Sequence, residues 1–93
     1  MTSFRVAHLH EQGNDMIIVP LGEEFGDKSL IEQEQTMGVL RNAAKSSGLR
    51  GVVIPIWPEA EKLRFLAPKV WHPYFKRMTW DWLRANLNTE IEF

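Results

Sequence analysis

The sequence contains no cysteine. A disulfide framework and a thiolate metal site are therefore excluded, and the chain suits a reducing compartment such as the cytoplasm. Long apolar runs are also missing. The most apolar stretches, residues 16–21 and 52–57, fall far short of the roughly 20 residues that cross a bilayer. The opening Met1-Thr2-Ser3-Phe4-Arg5 lacks the apolar stretch of a secretory signal, so we expect neither export nor a membrane. No G-x-G-x-x-G, P-loop, H-E-x-x-H or G-x-S-x-G is present, and no cofactor or resident metal is implied. Gly22-Glu23-Glu24-Phe25-Gly26 spaces its glycines like a cradle, but its two glutamates repel phosphate.

What remains is an ordinary globular composition. With 93 residues, 44% of them apolar and 25% charged, we expect a single compact domain spanning 1–93. A core this small gains from a second copy. The net charge of −1 hides an asymmetry. Residues 11–35 carry seven acids and one base, whereas residues 41–86 carry nine bases and three acids. Halves of opposite sign can face one another within a fold or across an interface between copies.

Two segments are written almost alike: Ile17-Ile18-Val19-Pro20-Leu21 and Val52-Val53-Ile54-Pro55-Ile56. Residues 4–11 read as a strand with Phe4, Val6, His8 and His10 on one face. The turn-rich Gln12-Gly13-Asn14-Asp15 links it to residues 16–21, giving an antiparallel hairpin. That second strand is apolar on both faces and should be central. Ser29 and Glu32 have capping-box spacing, with Asp27 as the competing cap. Leu30, Met37, Leu40 and Ala44 form one stripe of the helix that follows, with Ile31 beside it. Gly48 and Leu49 should end that helix, Gly48 by taking a left-handed conformation. Residues 52–57 then make a parallel partner for the second strand across a right-handed crossover.

Proline cannot donate to a strand ladder, so Pro20, Pro55 and Pro68 read as strand terminators. They would release the chain into loops at the carboxyl end of the sheet, where open α/β sheets bind ligands. Further on, Pro73 suits the first turn of a short helix and Thr79 caps a second one over residues 80–87. Thr89-Glu90-Ile91-Glu92-Phe93 alternates like an edge strand. Whether residues 63–67 pair in the main sheet stays open. The expected fold class is α/β or α+β. A hairpin leads into a βαβ unit, in a mixed sheet of about four to five strands with one long helix and a short aromatic helical segment, ordered ββαβ(β)αβ. The aromatic segment should pack across one end. In topology alone, this order resembles the anti-sigma-factor antagonist fold, without that family's phosphoserine loop.

Function rests on weaker signals. His8 and His10 share a strand face, but no third metal ligand is evident. All four tryptophans follow residue 56: Trp57, Trp71, Trp80 and Trp82. If Trp80, Leu83 and Leu87 face the core of a helix, Trp82 points elsewhere. Exposed tryptophan marks contact surfaces, because it offers large rigid area and a polar handle. The leading expectation is therefore a non-enzymatic protein-interaction module that self-associates, with Trp57, Trp71, His72, Tyr74, Phe75 and Trp82 as binding residues. A second reading is a small-molecule site or enzyme at the carboxyl end of the parallel strands. It would use Glu23, Glu24, Phe25 and Glu59, with Trp57 and His72 as walls and Glu61 adding a carboxylate. A third is single-stranded nucleic-acid binding by the basic and aromatic segment 62–84. A sequence pI near 6.3 argues against it.

Overall fold

A computed structural model describes residues 3–11, 13–60 and 62–92, without the side chains of Ser3, Glu11 and Glu92. Five strands, β1 (Ser3–Glu11), β2 (Asn14–Pro20), β3 (Val52–Glu59), β4 (Lys62–Phe65) and β5 (Thr89–Glu92), form one sheet in the order β4-β3-β2-β1-β5. Helix α1 (Leu30–Ser46) separates β2 from β3; α2 (His72–Lys76) and α3 (Trp80–Ala85) separate β4 from β5. The expected mixed sheet and element order are both present. Gln12, Glu61 and Phe93, which belong to the expected first turn, carboxylate pair and last strand, lie outside the described residues.

The repeated segments are parallel neighbours in register. Ile17 lies beside Val53, Ile18 beside Ile54, and Val19 beside Pro55. β2 is the central strand, and both its faces are covered. Ile17 and Val19 join Val6, Val53, Ile91 and the α1 residues Met37, Leu40, Ala43 and Ala44 in one core cluster. Met16 and Ile18 join Ala7, Ile54, Ile56, Phe75 and Leu83 in a second cluster on the opposite face. The molecule therefore has three layers, with α1 on one face and α2 and α3 on the other. Burying each large apolar side chain contributes about 1.5–3 kcal/mol, so a strand apolar on both faces is stabilised only between two layers. The aromatic segment accordingly lies over a whole sheet face. It does not sit across one end.

Three local expectations change. Pro20 does end β2, but Pro55 lies inside β3. The Ile56 carbonyl points towards β2, accepting from the Leu21 N–H at 2.7 Å, so the backbone of Pro55 points the other way. There its carbonyl accepts from the Leu66 N–H at 3.3 Å, one residue past the last β3–β4 pair, Ile56 with Phe65. A proline is tolerated at that position because the ladder stops there. Pro68 also differs: residues 62–65 do pair, but antiparallel to β3, so the chain leaves β4 away from the carboxyl ends of β2 and β3. Finally, Leu30 is 84% exposed and does not join the buried stripe of α1. It is the first residue of α1, in the turn that projects beyond Met37, the first residue of the helix to be buried.

The ends of α1 follow the expected chemistry. The Glu32 N–H donates to Ser29 Oγ at 3.2 Å, and the Ser29 N–H donates to Glu32 Oε1 at 3.1 Å. The bond from the Ser29 N–H, foremost among the causes, holds the Glu32 carboxyl below the usual glutamate range. Gly48 takes a φ of 78°, and the Leu49 N–H returns to the Ala44 carbonyl at 3.0 Å. Side chains resist that backbone conformation, which explains a glycine there.

Candidate interaction surface

The second helical layer is built from the aromatic segment. Phe75 is 1% exposed and forms its floor, with its ring 5.3 Å from Phe65 and 5.2 Å from Tyr74. Trp71 meets Tyr74 edge-on at 6.1 Å. His72 donates from Nε2 to the Ala67 carbonyl at 2.9 Å and stands edge-on to Phe65. Its imidazole thus fastens the loop after β4 to α2.

In α3, Leu83 is fully buried, and Trp80 and Leu87 pack beside it on the second cluster. Trp82 faces outward and is 38% exposed. Its backbone is fixed at both ends: the N–H donates to the cap hydroxyl of Thr79 at 3.1 Å, and the carbonyl accepts from Asn86 Nδ2 at 2.8 Å. The indole lines a cleft of about 400 Å³ with Pro73, Tyr74, Arg77 and Met78. Among the described residues, Arg77 is the sole charged one of that lining. Lys69 and Lys76 are exposed in the same layer, as is the apolar Val70.

Of the sequence-predicted residues, Tyr74 and Trp82 meet in this cleft, Trp71 flanks Tyr74, and Phe75 lies beneath. Sequence reasoning missed Pro73, Arg77 and Met78. Tyr74, Met78 and Trp82 recur every four residues, a helical signal that crosses the break between α2 and α3.

The alternative pocket residues divide. Trp57, Glu59 and His72 line a broad groove of about 1110 Å³ beside the β3–β4 hairpin. Glu59 pairs there with Arg64 at 3.5 Å, and His72 is held by Ala67. Trp57 is 6% exposed and packs edge-on against Phe25 at 4.8 Å. Its Nε1 is buried without a hydrogen-bond partner among the described residues. Glu23 and Glu24 are exposed on the short 3₁₀ turn Glu23–Phe25, and neither they nor Phe25 lines the groove.

His10 bonds through Nδ1 to the Asp15 carboxylate opposite it in the hairpin, which lowers the Asp15 pKa from its ordinary value. His8 Nε2 lies 3.2 Å from the Arg50 carbonyl. Among the described residues, no three histidine or acidic side chains converge on a metal position. None of the described helices is long and apolar enough to cross a membrane.

Compared with protein-family models, with curated proteins and with solved structures, the chain matches none.

Proposed function

We propose that this protein is a non-enzymatic interaction module that associates with itself, using the α2–α3 surface. One observation carries the reading: an outward tryptophan, fixed at both backbone ends, walls an apolar cleft whose only charged lining residue among those described is Arg77. Trp and Arg dominate the energetics of protein contacts, because they add large area at little conformational cost once held in place. The chain's freedom from cysteine agrees with action in the cytoplasm.

The test is sedimentation velocity across a concentration series. Wild type should show mass-dependent association, and Trp82→Ala should weaken it at least about tenfold, the change that follows from losing one contact worth 1.4 kcal/mol. The far-ultraviolet circular dichroism should stay unchanged. Unfolding of Trp82→Ala would make Trp82 a core residue and defeat the reading.

The groove beside the β3–β4 hairpin supports a second reading, a small-molecule site, because Trp57, Glu59 and His72 do line one space. Its Glu59 and His72 are already engaged with Arg64 and Ala67, which is why the cleft is preferred.

A further inference from the structure

The cleft has a counterpart on the other side of the molecule. Leu30 and Ile31, in the first turn of α1, are 84% and 73% exposed. They lie among acids: residues 23–34 hold Glu23, Glu24, Asp27, Glu32 and Glu34 against one base, Lys28. Glu32 is engaged by Ser29 and Glu34 by Arg41, whereas Glu23, Glu24 and Asp27 are all exposed. The cleft side has the opposite balance. Residues 69–84 hold Lys69, Lys76, Arg77 and Arg84 against one acid, Asp81, which pairs with Arg84 at 2.6 Å. An apolar knob flanked in sequence by acids therefore sits on the α1 layer, and an apolar cleft lined by Arg77 sits on the α2–α3 layer, where Lys69 and Lys76 are also exposed.

We propose that the occupant of the cleft is the Leu30–Ile31 turn of a second copy of this chain. This rests on the self-association proposed above and specifies its geometry. Two aliphatic side chains entering the cleft would be covered by Trp82 and Met78, while Glu23, Glu24 and Asp27 approach Lys69, Lys76 and Arg77. The alternative, cleft against cleft, brings like charges together. Because knob and cleft lie on opposite faces of the sheet, the contact is heterologous: each copy keeps a free knob and a free cleft. Such contacts build rings or open chains, whereas a self-complementary patch closes as a dimer.

Complementation between two blocked variants tests this directly. The first, Leu30→Gln with Ile31→Gln, removes the knob with residues that favour a helix. The second, Arg77→Glu, reverses the cleft's charge at an exposed position, with Trp82→Ala as a parallel variant should either one lose its fold. Wild type should form species larger than a dimer, increasingly so at low salt. Each variant alone should lose association by about tenfold or more. An equimolar mixture of the two should form a 1:1 heterodimer and stop there, since only one intact knob and one intact cleft can meet.

Wild-type-like association of the knob variant would overturn the knob-in-cleft contact while leaving self-association standing. So would a mixture that stays monomeric while wild type associates. A wild type that is monomeric at every concentration overturns both proposals. Salt-dependent retention of a single-stranded oligonucleotide by such a monomer, lost in Arg77→Glu, would assign the cleft to nucleic acid.

Discussion

The side-chain amide of Asn88 holds both backbone groups of His8, 80 residues away in sequence: Oδ1 accepts from the His8 N–H at 2.9 Å, and Nδ2 donates to the His8 carbonyl at 3.0 Å. The Asn88 N–H also donates to the Val6 carbonyl at 3.1 Å, so the amide prolongs the β1–β5 ladder by one side chain. Arg5 adds a bond to the Leu87 carbonyl at 2.8 Å. Together these fasten the end of the aromatic layer to the sheet edge. Asn88→Ala should cost about 1 kcal/mol, because water can still reach the freed groups at an edge. Asn88→Asp should cost at least as much, since a carboxylate accepts from the N–H but repels the carbonyl. Urea denaturation of both variants checks this, and no loss in Asn88→Ala would dismiss the clamp.

Gly26 sits against the indole of Trp57. A Cβ at that position would lie 2.6 Å from Trp57 Nε1, and the ring is already backed by Phe25 at 4.8 Å. Neither wall is a flexible side-chain tip. Gly26→Ala should therefore destabilise by about 1–3 kcal/mol, the usual range for overpacking a well-filled core. Near-ultraviolet circular dichroism should report a moved tryptophan, and thermal melting the loss of stability.

The parallel pairing of β2 and β3 is legible in the sequence because strands buried on both faces meet one environment and are written alike. Capping at Ser29 and Glu32 is legible for a local reason: two side chains and two amides satisfy one another. Pro55 is not legible as an interior residue, since its tolerance depends on where the neighbouring ladder stops. Leu30 misleads for a related reason. Its spacing from Met37 is helical, but periodicity does not reveal how far a helix projects past its sheet. Of the candidate site, Trp82's outward direction follows from helical spacing with Trp80 and Leu83. The cleft itself does not, because it needs the loop that folds Arg77 and Met78 beside Pro73.

That difference between Leu30 and a true core position is measurable. Leu83→Ala, at a residue with no exposure, should cost about 2–5 kcal/mol. Leu30→Ala, at a residue 84% exposed, should change stability by no more than about 0.5 kcal/mol. Chemical denaturation separates the two, and a large loss in Leu30→Ala would return that residue to the core and remove the knob.

The capping box sets an acid dependence. The folded Glu32 carboxyl titrates below the unfolded one, so the folded state binds fewer protons there. Its contribution is complete above the ordinary glutamate value of 4.5 and is lost as pH falls through the lower folded value. Glu32→Gln keeps the geometry without the charge. The variant should melt below wild type near neutral pH and approach it on acidification. A constant gap across the acidic range would show that the charge contributes nothing.

The central claim is that copies of this chain meet at the cleft beside Trp82. The most direct measurement follows the four indole N–H resonances in a ¹H–¹⁵N dilution series at low salt. Trp82 should shift and broaden as concentration rises, while Trp57, buried against Phe25 and Gly26, stays in place. Four indole signals unchanged from dilute to concentrated protein would contradict the account, as would a concentration-dependent shift confined to Trp57.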